Sequence, residues 1–365
     1  MANESSADSK KPPLRKGWST GACATAAAQA AYGALLTGRF EDPVTIILPR
    51  GETPAFALAE TKLTAKTASA AIIKDAGDDP DVTHQALIRA KVRLGPAGSG
   101  VSFRAGAGVG TVTLPGLPLG VGEPAINPVP RRMMSAAIAQ LAATHDAPGD
   151  VEITISVAEG KKLAERTMNA RLGIVGGLSI LGTTGIVTPY SCSAWIAAIH
   201  QGVDVARAAG LQHVAGATGK TSEAAVRKFH GLEEQALLEM GDFAGALLKY
   251  IRRHPIARLT IAGGFAKISK LAQGHMDLHS GRSDVDVGAL AGYLSELGAA
   301  PEIVSRARTT VSAGAVLTLA EELPLAERVA EEALSVITDR LGDADIAVDV
   351  AIFDRSGKLI GHAQP

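Results

Sequence analysis

Near Ser191 the residue periodicity of this chain changes, and that change restricts its fold more than any other feature. Ahead of it, short β-rich runs punctuated by turn residues predominate; beyond it, helical stretches alternate with short apolar runs. In the first half, Ser19 or Thr20 can cap a helix over Ala22–Leu36 that Gly38 closes. Val44–Leu48, Ala55–Leu63, Ala70–Lys74, Ala86–Arg93, Val101–Ala105 and Val151–Val157 read as strands, and Pro130–Ala143 as a helix with proline at its start. This half is α+β.

The second half reads as helix Ser193–Ala209, strand His213–Ala217, helix Ser222–Phe229, strand Leu237–Met240, helix Asp242–Arg253, strand Arg258–Ala262 and helix Ala266–Gln273. Such alternation calls for a small parallel sheet. Ligands of these sheets sit at the carboxyl ends of the strands, which places Gly216–Lys220 and Gly263–Lys267 at a candidate site. Three more helices follow Val285, the last over Leu325–Leu341, and IAVDVAIFDRSGKLIGHA closes the chain as a hairpin turning at DRSGK. The expected fold class is α+β and α/β, with an N-terminal α+β domain and a smaller α/β domain holding a short parallel sheet. The limits read as a disordered tail over 1–16, the α+β domain with glycine-rich site loops over 17–189, and the α/β domain over 190–300. Residues 301–365 read as C-terminal helices and a β-hairpin packing on the core.

Composition narrows the function. At 46% hydrophobic and mean hydropathy +0.16, 365 residues can fill two cores. A net charge of −1 offers no field for nucleic acid or an anionic membrane, and 4% aromatic content is thin for base stacking. No apolar stretch approaches the ~20 residues of a membrane helix, and the first sixteen residues lack the apolar centre of a signal peptide. Cys23 and Cys192 cannot form a disulfide framework and suit a reducing compartment, so a cytoplasmic protein is expected.

Chemistry is concentrated in four runs: GWSTGACATAAAQAA (Gly17–Ala31), KDAGDDPDVT (Lys74–Thr83), GVGTVTLPGLPLGVGEPAINPVPRRMM (Gly108–Met134) and RLGIVGGLSILGTTGIVTP (Arg171–Pro189). Glycine lets other groups approach the backbone and costs more entropy to order than any other residue, so the last run reads as a ligand-lining loop. Gly176, Gly177, Gly182, Thr183, Thr184 and Gly185 are its candidates, with Gly263 and Gly264 approaching from the second domain. Crowded carboxylates raise one another's pKa and can supply a general base, which singles out Asp75, Asp78 and Asp79, beside Asp81, with Glu123 second. Arg131, Arg132, Arg171, Lys267, Lys270 and Arg282 accompany the glycine-rich runs and suit a substrate bearing many carboxylates.

Three other patterns are misleading. VSFRAGAGVG has the glycines of a dinucleotide turn, but two prolines and no helical period follow it. VAGATGKT (Val214–Thr221) lacks the first glycine of a phosphate-binding loop, and LTIAGG carries no aspartate for magnesium. In His275, Asp277 and His279 the two histidines would share one helix face, but Gly274 and Gly281 argue for a loop and no third ligand is evident; substrate contact, by His279, or a satisfied polar loop is the preferred reading, and no protein-held metal is expected. Cys23, near a helix start, reads as packing among alanines rather than as a reactive thiol.

In order and spacing the four runs resemble the CbiD family, the cobalt-precorrin-5B C1-methyltransferases of cobalamin biosynthesis, over Gly17 to about Asp286. The resemblance implies S-adenosyl-L-methionine as methyl donor and a ring-contracted tetrapyrrole, cobalt-precorrin-5B, as acceptor. Its carbon C1 takes the methyl to give cobalt-precorrin-6A, with cobalt entering only as part of the substrate. Other corrin-pathway enzymes are the partners this implies. The chain departs from the family at GGFAKISK, where Phe265 and Ala266 replace a glycine-lysine pair, at Trp18 and Ser19, and around His275–His279, leaving both cobalt-bound and metal-free substrate open. The alternative from another class is a non-catalytic tetrapyrrole-binding or scaffold protein of the same pathway.

Overall fold

The computed structural model describes residues 13–365, which divide into two units: 13–113 with 118–191, and 114–117 with 192–365. Of the tail read over 1–16, residues 1–12 lie outside the described residues.

The first unit is built on a five-stranded sheet of β1 (Glu60–Leu63), β2 (Thr67–Ile73), β3 (Leu87–Leu94), β4 (Val101–Ala105) and β5 (Val151–Val157) in the order β1-β2-β3-β5-β4. Neighbours are antiparallel except β5 and β4. Strict alternation turns Val151, Ile153, Ile155 and Val157 inward, and the register sets Ile155 opposite Ala90 and Ile153 opposite Val92. Helices α1 (Thr20–Thr37) and α2 (Pro128–Thr144) pack on each other, and α1 lies on β2 and β3. Alanine is the best helix former, and its small side chain lets α1 be buried on nearly every face. Ser19 Oγ accepts the Ala22 N–H, and Gly38, at φ 79°, ends the helix. A short helix, α3 (Gly160–Ala164), follows β5.

Two strand readings shrink in this unit. Val44–Leu48 is a strand only over Val44–Thr45, paired with Ala55–Phe56. Ala55–Leu63 breaks because the Leu58 N–H donates to Asp42 Oδ1 (3.1 Å) rather than to a neighbouring strand.

The second unit runs α4 (Cys192–Ala208), β6 (His213–Ala217), α5 (Lys220–His230), β7 (Leu237–Leu238), α6 (Ala244–Ile251), β8 (Arg258–Gly264) and α7 (Phe265–Ala272). Then come α8 (Val287–Glu296), α9 (Pro301–Arg308), α10 (Ala313–Ala320), α11 (Leu325–Leu341), β9 (Ala347–Phe353) and β10 (Leu359–Ala363). Four helices therefore follow Val285 where the sequence suggests three; Ser312 caps α10, accepting the Ala315 N–H, and so interrupts the run. The sheet order is β7-β6-β8-β9-β10, parallel throughout except for the closing β9–β10 hairpin. Buried on both faces, β8 reads as a nearly continuous apolar run, the pattern of a parallel strand between helical layers. One face meets Val226 of α5 through Ala215, Ala217, Ala262 and Ala351; the other joins α6, α7 and α11 through Val214, Leu259, Ile261 and Val350. Among the described residues no helix is long and apolar enough to cross a membrane.

Candidate functional site

In the second unit, two helix starts meet at the carboxyl edge of the parallel sheet. Strands β6 and β8 are neighbours in register, Ala217 opposite Ala262, and the Thr218 N–H donates to the Ala262 carbonyl at 3.0 Å. Gly219 then begins α5, and Gly264 begins α7, neither supplying a side-chain cap. A Cβ on Gly219 would meet nothing within 4 Å, and one on Gly264 only the Phe353 carbonyl at 3.9 Å, so both starts are open. Gly263 differs: its Cβ would lie 2.9 Å from Thr218 Oγ1 and 2.8 Å from Ile268. Uncapped N–H groups and the positive end of each helix give this edge a polarity suited to a carboxylate or other anion.

The cations read around it have other duties. Lys267 Nζ donates to Asp242 and to the Leu278 carbonyl (2.9 Å), while buried Lys270 donates to the carbonyls of Leu278 (3.2 Å) and Ser283 (2.5 Å). Both ammonium groups thus fasten the loop between Gly274 and Ser283 and are turned to main-chain oxygen. His279 is exposed on that loop, its Nδ1 accepting the Gly281 N–H at 3.0 Å, and Asp277 pairs with Arg282 at 2.6 Å. His275, Asp277 and His279 do not converge as metal ligands; among the described residues His213, His230 and Asp349 do.

In the first unit the aspartate cluster is held by partners. Arg15, read as part of the tail, forks onto both oxygens of Asp75, and its backbone N–H donates to Asp78 (2.6 Å). That guanidinium and the Gly77 N–H take the Asp75 carboxyl down to about 2. Burial would raise Asp81, but Lys74 Nζ at 2.7 Å and the two Thr83 donors outweigh it and hold it below its ordinary value. Asp79 is half-buried and accepts the Tyr190 N–H at 2.8 Å. Glu123 pairs with Arg131 at 2.7 Å. Arg131 also donates to the carbonyls of Ile126 (2.7 Å) and Pro124 (3.1 Å) and covers Phe103, so it clasps its own loop.

The glycine-rich run is shaped largely by packing. A Cβ on Gly177 would come within 2.3 Å of the Gly108 backbone, one on Gly182 within 2.3 Å of Ser19 Oγ, and one on Gly185 within 2.5 Å of Leu48. Gly182 and Gly185 also sit at φ 135° and 84°, which favour glycine. Their loop seals the start of α1: Ser19 N–H donates to Gly185 O (2.8 Å) and Gly21 N–H to Leu181 O (2.9 Å). Thr184 Oγ1 is bonded within the loop, to the Ile186 N–H and carbonyl. Gly176, by contrast, faces open space, and Thr183 is exposed.

Arg132 and Thr183, far apart in sequence, share one groove of about 390 Å³ with Gln29, Gln140, Leu48 and Met133. It offers one cation and several hydrogen-bonding groups over an apolar floor, the composition of a small-molecule site. Arg171 is half-buried and already engaged. Burial pushes the Cys23 thiol up to about 12, in line with packing. Sequence reasoning missed Arg15, hidden in a polar tail, and the His213–His230–Asp349 group, whose members lie too far apart along the chain to form a local motif.

The CbiD family model matches residues 7–189, and the model described as CbiD, C-terminal domain, matches 277–364. A relative named cobalt-precorrin-5B C(1)-methyltransferase from Paramagnetospirillum magneticum is 59% identical over 350 residues, covering 96% of this chain and 98% of its own. One of the same name from Rhodospirillum rubrum is 59% identical over 351 residues (96% and 97% covered), and one from a Bradyrhizobium species is 55% identical over 358 (98% and 95%). A crystal structure of the cobalamin biosynthesis protein cbiD from Archaeoglobus fulgidus overlaps 69% of this chain and 77% of its own, with 25% identity and a TM-score of 0.39. Matched nearly end to end by the sequence relatives, the chain belongs to the CbiD family.

Proposed function

We propose that this chain methylates ring carbon C1 of cobalt-precorrin-5B, with S-adenosyl-L-methionine as methyl donor, to give cobalt-precorrin-6A in corrin ring biosynthesis. The observation that carries this is near-full-length identity of 53–59% to relatives bearing that name. The donor supplies an already activated methyl group, so the protein's task is positioning, worth ~7–11 kcal/mol in favourable cases.

The carboxyl edge of the parallel sheet fits the donor. Open glycines at Gly219 and Gly264 leave helix N–H groups free of side-chain caps, suited to the donor's carboxylate, and Thr218 offers a hydroxyl beside them. In the first unit, Arg132 takes a substrate carboxylate as a bidentate fork and Thr183 a second polar group, over the apolar floor of their groove. Asp79 is the proposed proton acceptor. Asp75 is a poor base at about 2, whereas Asp79 has one carboxylate oxygen on the Tyr190 N–H and a second for the substrate. Two free cysteines suit a cytoplasmic site of action.

The test measures S-adenosylhomocysteine release with cobalt-precorrin-5B for the wild type and Asp79→Asn. Asparagine still accepts the Tyr190 N–H but cannot take the proton, so kcat should fall about 100-fold at unchanged donor KM. Donor binding without any release in the wild type would support the non-catalytic tetrapyrrole-binding alternative.

A further inference from the structure

At the amino ends of β6, β8 and β9, remote along the strands from the carboxyl edge, lies a cluster with no part in the chemistry above. Asp349, 1% exposed, receives four donors. Thr260 Oγ1 (2.8 Å) and Arg258 Nε (3.1 Å) hold its Oδ1; His230 Nε2 (3.0 Å) and His362 Nε2 (3.2 Å) sit on its Oδ2. His213 Nε2 lies 2.8 Å from Thr260 Oγ1. Thr260 has a single hydroxyl proton and gives it to Asp349, so it accepts from His213, whose Nδ1 keeps the lone pair.

We propose that His213, His230 and Asp349 form a binding site for a divalent transition-metal ion, zinc foremost, with His362 within reach as a fourth ligand. One ligand atom from each of the first three lies within 4.8 Å of the others, so the widest pair closes by about 1 Å or more, to the spacing of two ligands on one ion, as the ion binds. Two imidazole nitrogens and a carboxylate oxygen are a donor set that zinc accepts. An ion about 2.05 Å from both Asp349 Oδ2 and His230 Nε2, which are 3.0 Å apart, subtends an angle of about 94°. The 3.2 Å spacing to His362 gives about 103°, so both angles lie near the tetrahedral range.

The surroundings meet the further needs of such a site. Thr260 and Arg258 fix the outer carboxylate oxygen, as the outer shell of a metal centre does. His230 and His362 each move their N–H from Nε2 to Nδ1 as the ion enters, so a neutral ring coordinates without losing a proton. Access is open: the side chain of His362 is 23% exposed and forms one wall of a depression of about 500 Å³ that also holds Glu331 and Asp339 of α11. A cation enters past two carboxylates.

The test uses the full chain stripped with a chelator, titrated with zinc chloride by calorimetry and with cobalt chloride by visible absorption. The expected result is one zinc per chain with Kd below about 1 µM and a tetrahedral cobalt spectrum. His213→Gln and His230→Gln should each weaken zinc by about 100-fold with an unchanged circular-dichroism spectrum, while His279→Gln should not. Should a variant fail to fold, the ring-nitrogen resonances of the wild type decide: zinc must shift those of His213 and His230. No binding at about 100 µM zinc, wild-type affinity in both variants, or shifts confined to His275 and His279 would overturn the proposal.

Discussion

Replacing Asp81 by asparagine isolates the role of the aspartate run. Lys74 is 1% exposed and its Nζ lies 2.7 Å from Asp81 Oδ2, while Asp81 Oδ1 accepts both donors of Thr83. Asparagine keeps the Thr83 contacts through its Oδ1 and sets an uncharged amide NH2 where Oδ2 stood, so the buried ammonium loses both its counter-ion and its acceptor. Breaking a fully buried pair costs about 3–5 kcal/mol; with the Asp81 side chain 24% exposed, water screens part of that, and about 2–3 kcal/mol is expected. Lys74→Met combined with Asp81→Asn removes both charges and should restore at least half of the loss. Urea unfolding followed by Trp18 fluorescence, in a Trp195→Phe background, reads the first unit. The pH dependence has a fixed sign. Because the folded Asp81 is held below the ordinary 3.8, its contribution is fully present above that value and disappears as pH falls through the lower folded value. An Asp81→Asn variant within about 0.5 kcal/mol of the wild type, or a double variant no better than the single, would refute the assignment of this pair to stability.

Three further outcomes follow from the geometry. Gly219→Asp should leave stability unchanged, since aspartate is a good N-cap and its Cβ meets nothing within 4 Å, yet raise KM for S-adenosylmethionine at least about tenfold by covering the open N–H groups. Thr183→Val should lower turnover about tenfold without changing the melting temperature, whereas Thr184→Val, which loses two bonds to Ile186, should cost about 1 kcal/mol of stability. In the native protein iodoacetamide should modify half-buried Cys192, beside Arg282, well before Cys23, which is fully buried with its thiol raised to about 12; peptide mass spectrometry gives the order.

Local signals carried much of the fold. Ser19 and Gly38 mark α1 because capping is written into a few adjacent residues, and Val101–Ala105, Val151–Val157, His213–Ala217 and Leu325–Leu341 coincide with their elements. What escaped depends on partners distant in sequence. The break at Leu58 comes from Asp42 Oδ1, sixteen residues earlier. The site is less legible than the fold for the same reason. Glycines at 177, 182 and 185 look like ligand contacts in sequence, but the bodies they accommodate are Gly108, Ser19 and Leu48. Lys267 and Lys270 look like substrate cations, and only the folded loop reveals the carbonyls of Leu278 and Ser283 that receive them. Conversely, no local pattern brings Arg132 and Thr183 together, and α2 and the glycine-rich loop must both be in place before their groove exists.

The most direct test of the function is incubation of the protein with cobalt-precorrin-5B and S-adenosylmethionine labelled with carbon-13 in its methyl group, with the product read by mass spectrometry and NMR. One labelled methyl, on ring carbon C1, is the result expected of a C1-methyltransferase. A label at any other carbon, or none with substrate proven active, would contradict it.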